Sequence, residues 1–245
     1  MSFLREFEAA DAAVLAGWVS QAGVAVEPAL AVGECWLIAA DAAGRPQACL
    51  RLRERLGLSL PRYSYHVGRA VHAAAELGLF QSQATLLLGN DHTGDSELAD
   101  LAHAPDCTEP VAALQVLIMA ALARISAQRT RYGERLVVEL AGPRDAEGRS
   151  PFWQGLGRFF FAGDPAAARQ RWGEAWTSHL AALLPRQTLY LPFLDEAAQA
   201  AVGRVGAAGR HAAAALAGSG FAYGRHVRID DGGPIWELNL LQIAC

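Results

Sequence analysis

TLLLGNDHTGDSEL, residues 85 to 98, is a short apolar run that ends abruptly in a dense cluster of polar groups. Thr85 to Leu88 read as a strand that delivers Asn90, Asp91, His92, Thr93, Asp95, Ser96 and Glu97 to one place. A buried strand giving out into hydrogen-bonding and titratable groups is how an α/β protein commonly builds a site at its sheet edge. The same residues also suit a polar turn whose Asn, Asp and Ser bond only the local backbone.

Upstream of this stretch, residues 7 to 21 carry apolar positions at helical spacing, with Gly23 as a stop. Runs at 35 to 40, 47 to 53 and 63 to 67 read as strands, the first two joined by the Gly- and Pro-containing DAAGRP. Downstream, residues 97 to 103 predict another strand. Pro110 then opens the clearest helix, VAALQVLIMAALARISAQRTRY, with arginines near its end and Gly133 as its stop. Apolar nearly all round in its first half, that helix must pack on a sheet. Residues 135 to 140 return as a strand, so 97 to 140 form a right-handed crossover if the two strands are parallel. Ser150 before Pro151 caps a short aromatic-rich helix reaching to 161, and helices follow at 165 to 184 and 197 to 205. The tail reads as helix, glycine stop, strand, Asp-Gly-Gly turn and closing strand. The expectation is a mixed α/β (α+β) chain in a single domain, 1 to 245, or two packed lobes, 1 to 148 and 149 to 245.

At 245 residues and 52% apolar content, the chain can bury a sizeable core. All 21 basic residues are arginine, so lysine-based Schiff chemistry is excluded. A net charge of −4 argues against nucleic acid as a partner. The only basic cluster, RLRER at 51 to 55, reads as the solvated face of a strand. Cys35, Cys49, Cys107 and Cys245 form no CxxC pair or zinc-type spacing, so no metal site is expected, and they read as reduced thiols of a cytoplasmic protein. No apolar stretch approaches the roughly 20 residues that span a bilayer, and no signal-peptide core is seen, so no membrane partner is expected.

Four blocks, PRYSYHVGRAVHAAAEL, TLLLGNDHTGDSEL, SPFWQGLGRFFF and DDGGPIWEL, together resemble the arginine N-succinyltransferase family in content and order. The resemblance covers roughly residues 35 to 240. It implies an acyl-CoA N-acyltransferase (GNAT-like) fold, a mixed sheet flanked by helices, and transfer of succinyl from succinyl-CoA to the α-amino group of arginine. It places the acyl-CoA pocket at Leu101 and the pyrophosphate at the amides near Ala112 and Ala113. Asn90, Asp91, Asp231 and Glu237 are candidates for contact with an amino-acid substrate, a small amine, and His92 and Glu97 are candidate bases.

Three departures from the family pattern stand out. The basic, glycine-rich phosphate loop is replaced by Thr108, Glu109, Pro110, Val111, Ala112 and Ala113, which bring a carboxylate, a missing amide hydrogen and side chains to the helix start. The family's catalytic histidine, a proton donor, falls on Gly206, with His211 five residues later. Family members also continue beyond the point matching Leu240. Two readings follow: an acyltransferase using succinyl-CoA as co-substrate, or a catalytically silent homologue that binds an amino acid or a partner subunit. Either is expected to form a homo-oligomer, or a hetero-oligomer with a sister chain.

Overall fold

Alternating apolar residues near the start of the chain build three strands around one helix: β1 (Phe3–Arg5), α1 (Asp11–Gln21), β2 (Glu34–Ala40) and β3 (Pro46–Arg53). A computed structural model describes residues 3–5, 7–21 and 32–242; the proposed stop at Gly23 lies outside them. The chain continues through β4 (Ser64–Ala74), β5 (Leu79–Gly89), β6 (Ser96–His103), α2 (Pro110–Ala127), β7 (Arg135–Glu139), α3 (Pro151–Gly155), α4 (Pro165–Trp172) and α5 (Ala175–Leu183). It closes with β8 (Leu189–Tyr190), α6 (Glu196–Ala201), α7 (Arg210–Gly218), β9 (Ala222–Arg228) and β10 (Pro234–Asn239).

The strands form one ten-stranded mixed sheet in the order β1-β2-β3-β6-β7-β10-β9-β4-β5-β8. β6 and β7, joined by α2, are parallel, as the crossover reading requires, and every other pair is antiparallel. β10 and β9 lie between β7 and β4, so the C-terminal part is woven into the sheet rather than set beside it.

α2 buries Leu114, Leu117, Ile118, Ala121 and Ile125 against Leu50, Leu52, Leu98, Leu136 and Val138, together with Ala215 and Leu216 of α7. It is long and apolar enough to cross a membrane by length and composition. Here its apolar stripe faces the sheet and α7 instead. A second cluster gathers Phe152, Trp153 and Leu156 around Trp176 and Leu180 of α5 and Tyr65, Leu86 and Val227 of the sheet. Ser150 caps α3 as predicted, its Oγ accepting from the Trp153 amide at 3.2 Å.

Several expectations are corrected. α2 ends at Ala127 with Gln128 as its cap. Gly133 is needed for another reason, because a Cβ there would run into the Gly94 carbonyl and the Asp95 backbone. The predicted helix over 165 to 184 breaks at Gly173, whose φ of +54° suits glycine. β4 and β5 run well past the predicted 63 to 67 and 85 to 88. Arg51 and Arg53 are not a solvated face: they are 4% and 6% exposed.

Candidate active site

β6 and β7 pair only at Ser96–Leu136 and Glu97–Val137, and beyond that point they part. The fork follows from a bulge on the other edge of β6. There, the register with β3 shifts between Cys49–Ala102 and Arg51–Ala99, and Asp100 takes φ +55°. The extra residue returns Leu101 to the α2 side, three positions after Leu98, where an unbroken strand would have turned it away. The spacing of Leu98 and Leu101 within one strand was therefore a legible sign of the bulge.

On the face opposite α2, alternating with the leucines, sits a buried charge network. Arg51 reaches Asp100 at 2.6 Å and Glu34 at 3.3 Å. Arg53 pairs with Glu97 at 2.8 Å, with Glu34 at 2.8 Å and with Glu174. Arg62 joins Glu97 at 3.0 Å and Glu139 at 2.9 Å. Arg228 pairs with Asp230 and Asp231, each at 3.1 Å, and Arg169 also meets Asp230. Burial pushes the Asp100 carboxyl up, against the opposing pull of Arg51 and Arg53. Burial acts on Glu139 in the same sense, but Arg62 and Arg228 outweigh it and hold that carboxyl down at about 2. Arg169, buried and beside Arg228, comes down to about 9. The network encloses a cavity of about 70 Å³ at the fork, lined among others by Ala99, Asp100, Glu139, Trp176 and Arg228.

Glu97, a candidate base, is thus 1% exposed and clasped by two guanidinium groups. Asp231 accepts from the Gly142 amide at 3.1 Å and the Gly233 amide at 2.9 Å, which ties the Asp-Gly-Gly turn to the end of β7.

At the open end of the fork lie the start of α2 and the start of α7. Glu109 makes no side-chain cap and is exposed. The Ala113 amide is used by the Glu109 carbonyl at 3.0 Å, and the Glu109 side chain makes no capping bond to the first turn that includes Ala112. Gly206 donates its amide to the Ala141 carbonyl at 2.8 Å, and a Cβ on it would run into the Gly142 carbonyl oxygen. No histidine fits there without moving the backbone. What the sequence left unresolved is a pair of histidines: His103 Nε2 lies 2.9 Å from His211 Nδ1, and His103 Nδ1 lies 2.9 Å from the Ala104 carbonyl.

The NDHTGD turn precedes β6, whereas α2 follows it, so roughly 25 Å of extended strand separates them in the chain. Asn90 uses its carbonyl to accept from the Thr93 amide and hydroxyl. His92 is 3% exposed, with Nδ1 3.1 Å from Asp95. Its ring lies 4.5 Å from that of His226, whose Nε2 is 3.0 Å from Asp91. Burial lowers the His226 imidazole, while the bond from His226 lowers the Asp91 carboxyl. Glu237 lies 3.8 Å from Arg135, which also reaches Asp95 at 2.9 Å. The structure therefore brings together Asn90, Asp91, His92 and, through Arg135, Glu237. It does not bring them to Leu101 and Ala112, and Asp231 belongs to the turn beside Gly142. Among the described residues, no group of three or more His, Cys, Asp or Glu is arranged to hold a metal.

A mixed sheet whose parallel pair forks beside a bulge, with a crossover helix starting at the open end, defines the acyl-CoA N-acyltransferase class of fold. The chain matches the family model of the arginine N-succinyltransferase beta subunit over residues 11–245, and it belongs to that family. An arginine N-succinyltransferase of Salmonella arizonae is 38% identical over 185 residues, covering 76% of this chain and 54% of that protein. One from Salmonella paratyphi B is 37% identical over 190 residues with the same coverage. The chain thus spans about half the length of the curated relatives it matches. The solved arginine/ornithine succinyltransferase subunit AI from Pseudomonas aeruginosa superposes with a TM-score of 0.79 at 23% identity, covering 98% of this chain and 77% of that one. That likeness bears on the fold.

Proposed function

We propose that the chain is an acyl-CoA-dependent N-acyltransferase that moves succinyl from succinyl-CoA to the α-amino group of an amino acid, arginine first among the acceptors. The fork between β6 and β7 carries this reading, because it opens the sheet beside the bulge at Asp100 and next to an uncapped helix start. The relatives' names supply the acyl group and the acceptor. Leu101 would line the acyl-CoA at the fork and the Ala112 amide would meet its pyrophosphate, helped by the positive end of α2. Ala113 would contribute only through that dipole, its amide being spent within the helix. Glu109, exposed and uncapping, leaves the helix end uncovered.

In the reaction a deprotonated amine attacks the thioester carbonyl, the C–N bond forms, the C–S bond breaks and the CoA thiolate leaves. A base must first take the ammonium proton. His211 fits that role. His103 donates from Nδ1 to the Ala104 carbonyl, so its Nε2 accepts from His211 Nδ1 and the lone pair of His211 stays on its outward Nε2. His92, Glu97, Asn90, Asp91, Asp231 and Glu237 serve in this reading as the scaffold that holds the turns and the charge network. Purified chain incubated with succinyl-CoA and L-arginine should yield succinylarginine and free CoA by mass spectrometry. His211→Gln should lower kcat roughly 100-fold with KM little changed. Absence of product from the folded chain would favour the silent homologue.

The matched family is that of a beta subunit and the structural relative is itself a subunit, which supports an assembly with a second copy or a sister chain. A surface suited to it is the arm formed by residues 69 to 84 of β4 and β5, which among the described residues pair only with each other. Val71, Leu77 and Phe80 are exposed on it.

A further inference from the structure

Besides Arg53 Nε, which is ion-paired with Glu34 at 2.8 Å, three residues lining the cavity at the fork carry buried polar atoms with no hydrogen-bond partner: Oδ1 of Asp100, Nη1 of Arg228 and Nε1 of Trp176. The residues are 5%, 3% and 1% exposed. Folded proteins rarely leave such atoms unmatched. Two are donors, one of them a guanidinium, and the third is a carboxylate oxygen. A carboxylate ligand would accept from Arg228 and Trp176, and an ammonium would donate to Asp100.

Position adds a second argument. Asp100 is the residue whose left-handed backbone makes the bulge, so its carboxylate stands where β6 leaves β7. A non-glycine residue held at positive φ inside a strand is the kind of local cost that persists at functional sites. The cavity, about 70 Å³, has room for several water-sized groups and so for an amino-acid head group but not a whole side chain. It shares Arg53, Arg62, Glu174 and Thr177 with a neighbouring cleft of about 480 Å³, into which the remainder of a ligand can extend.

We propose that this cavity holds the α-amino and α-carboxylate groups of an amino acid, the carboxylate on Arg228 and Trp176 and the ammonium on Asp100. That the ligand is the acceptor of acyl transfer rests on the function proposed above; its binding does not. A site built around both charges should reject analogues lacking either one, since a buried group is then left unpaired.

Calorimetric titration of the chain with L-arginine, without CoA, should show binding. Agmatine, which lacks the carboxylate, and 5-guanidinopentanoic acid, which lacks the amine, should each bind at least tenfold more weakly. Trp176→Phe keeps an aromatic ring in the stack with Trp153, Phe161 and Trp172 and removes only the N–H donor and part of the ring. It should weaken arginine at least fivefold, with succinyl-CoA affinity within twofold of the parent. Asp100→Asn and Arg228→Gln should each weaken arginine at least tenfold, and thermal melts establish that the variants are folded. Should Arg228→Gln not fold, the other two variants decide. Agmatine binding as tightly as arginine, folded Trp176→Phe and Asp100→Asn proteins that bind arginine like the parent, or no arginine binding with or without CoA would each overturn the assignment. Arginine binding in this pattern without succinyl-CoA binding would sink the acyltransferase reading and leave this one standing; the converse result would do the opposite.

Discussion

Glu139 is the residue on which pH should act most plainly. Its carboxyl sits at about 2 in the folded chain, below the ordinary 4.5, because Arg62 and Arg228 outweigh its burial. The unfolded chain therefore binds more protons between those two values, and the stability contributed by this carboxylate is full above the ordinary value and lost as pH falls through the folded one. Glu139→Gln should lower the melting temperature near neutral pH, and the gap to the parent should narrow once the pH falls below about 4.5 and close as it approaches about 2. A gap that stays constant over that range would show that the charge is not what matters. The network around Glu139 was hard to read in the sequence. Arg-Leu-Arg alternates in the same way whether its guanidiniums meet water or carboxylates, and the partners of Arg51 and Arg53 lie between 17 and 121 residues away. Gly206 was the reverse case: the loss of the histidine was legible in the register, but the Gly142 carbonyl that bars a side chain there was not.

At the scale of elements, local pattern carried much of the reading. β2, β3, β6 and β7 fall within a residue or so of their predicted bounds, because apolar alternation and Gly or Pro punctuation are local signals. The arm of β4 and β5 was missed beyond its buried base, since residues 69 to 84 pack on little and so show no one-sided apolar pattern. That same lack of a partner motivates a prediction. Phe80, 76% exposed near the arm's tip, should be replaceable by Ser with the melting behaviour of the isolated subunit unchanged. If the arm joins subunits, Phe80→Ser should lower the mass of the assembly measured by light scattering. An unchanged mass for an oligomeric parent would place the interface elsewhere.

For the whole molecule, the resemblance seen in four sequence blocks leads to the family whose model matches residues 11–245, and the ten-stranded sheet shares its fold with a solved succinyltransferase subunit. The site is less evenly legible. Leu101 and the start of α2 could be named from the sequence as candidates, whereas the histidine pair 103 and 211 and the cavity at Asp100, Arg228 and Trp176 arise from contacts between distant segments. Such contacts exist only once β6, β9, α5 and α7 are placed. The fork is proposed to receive an acyl-CoA despite the altered loop at 108 to 113. Calorimetric titration of the chain with succinyl-CoA tests it most directly: binding in the micromolar range is the predicted result, and no heat at millimolar ligand would contradict it.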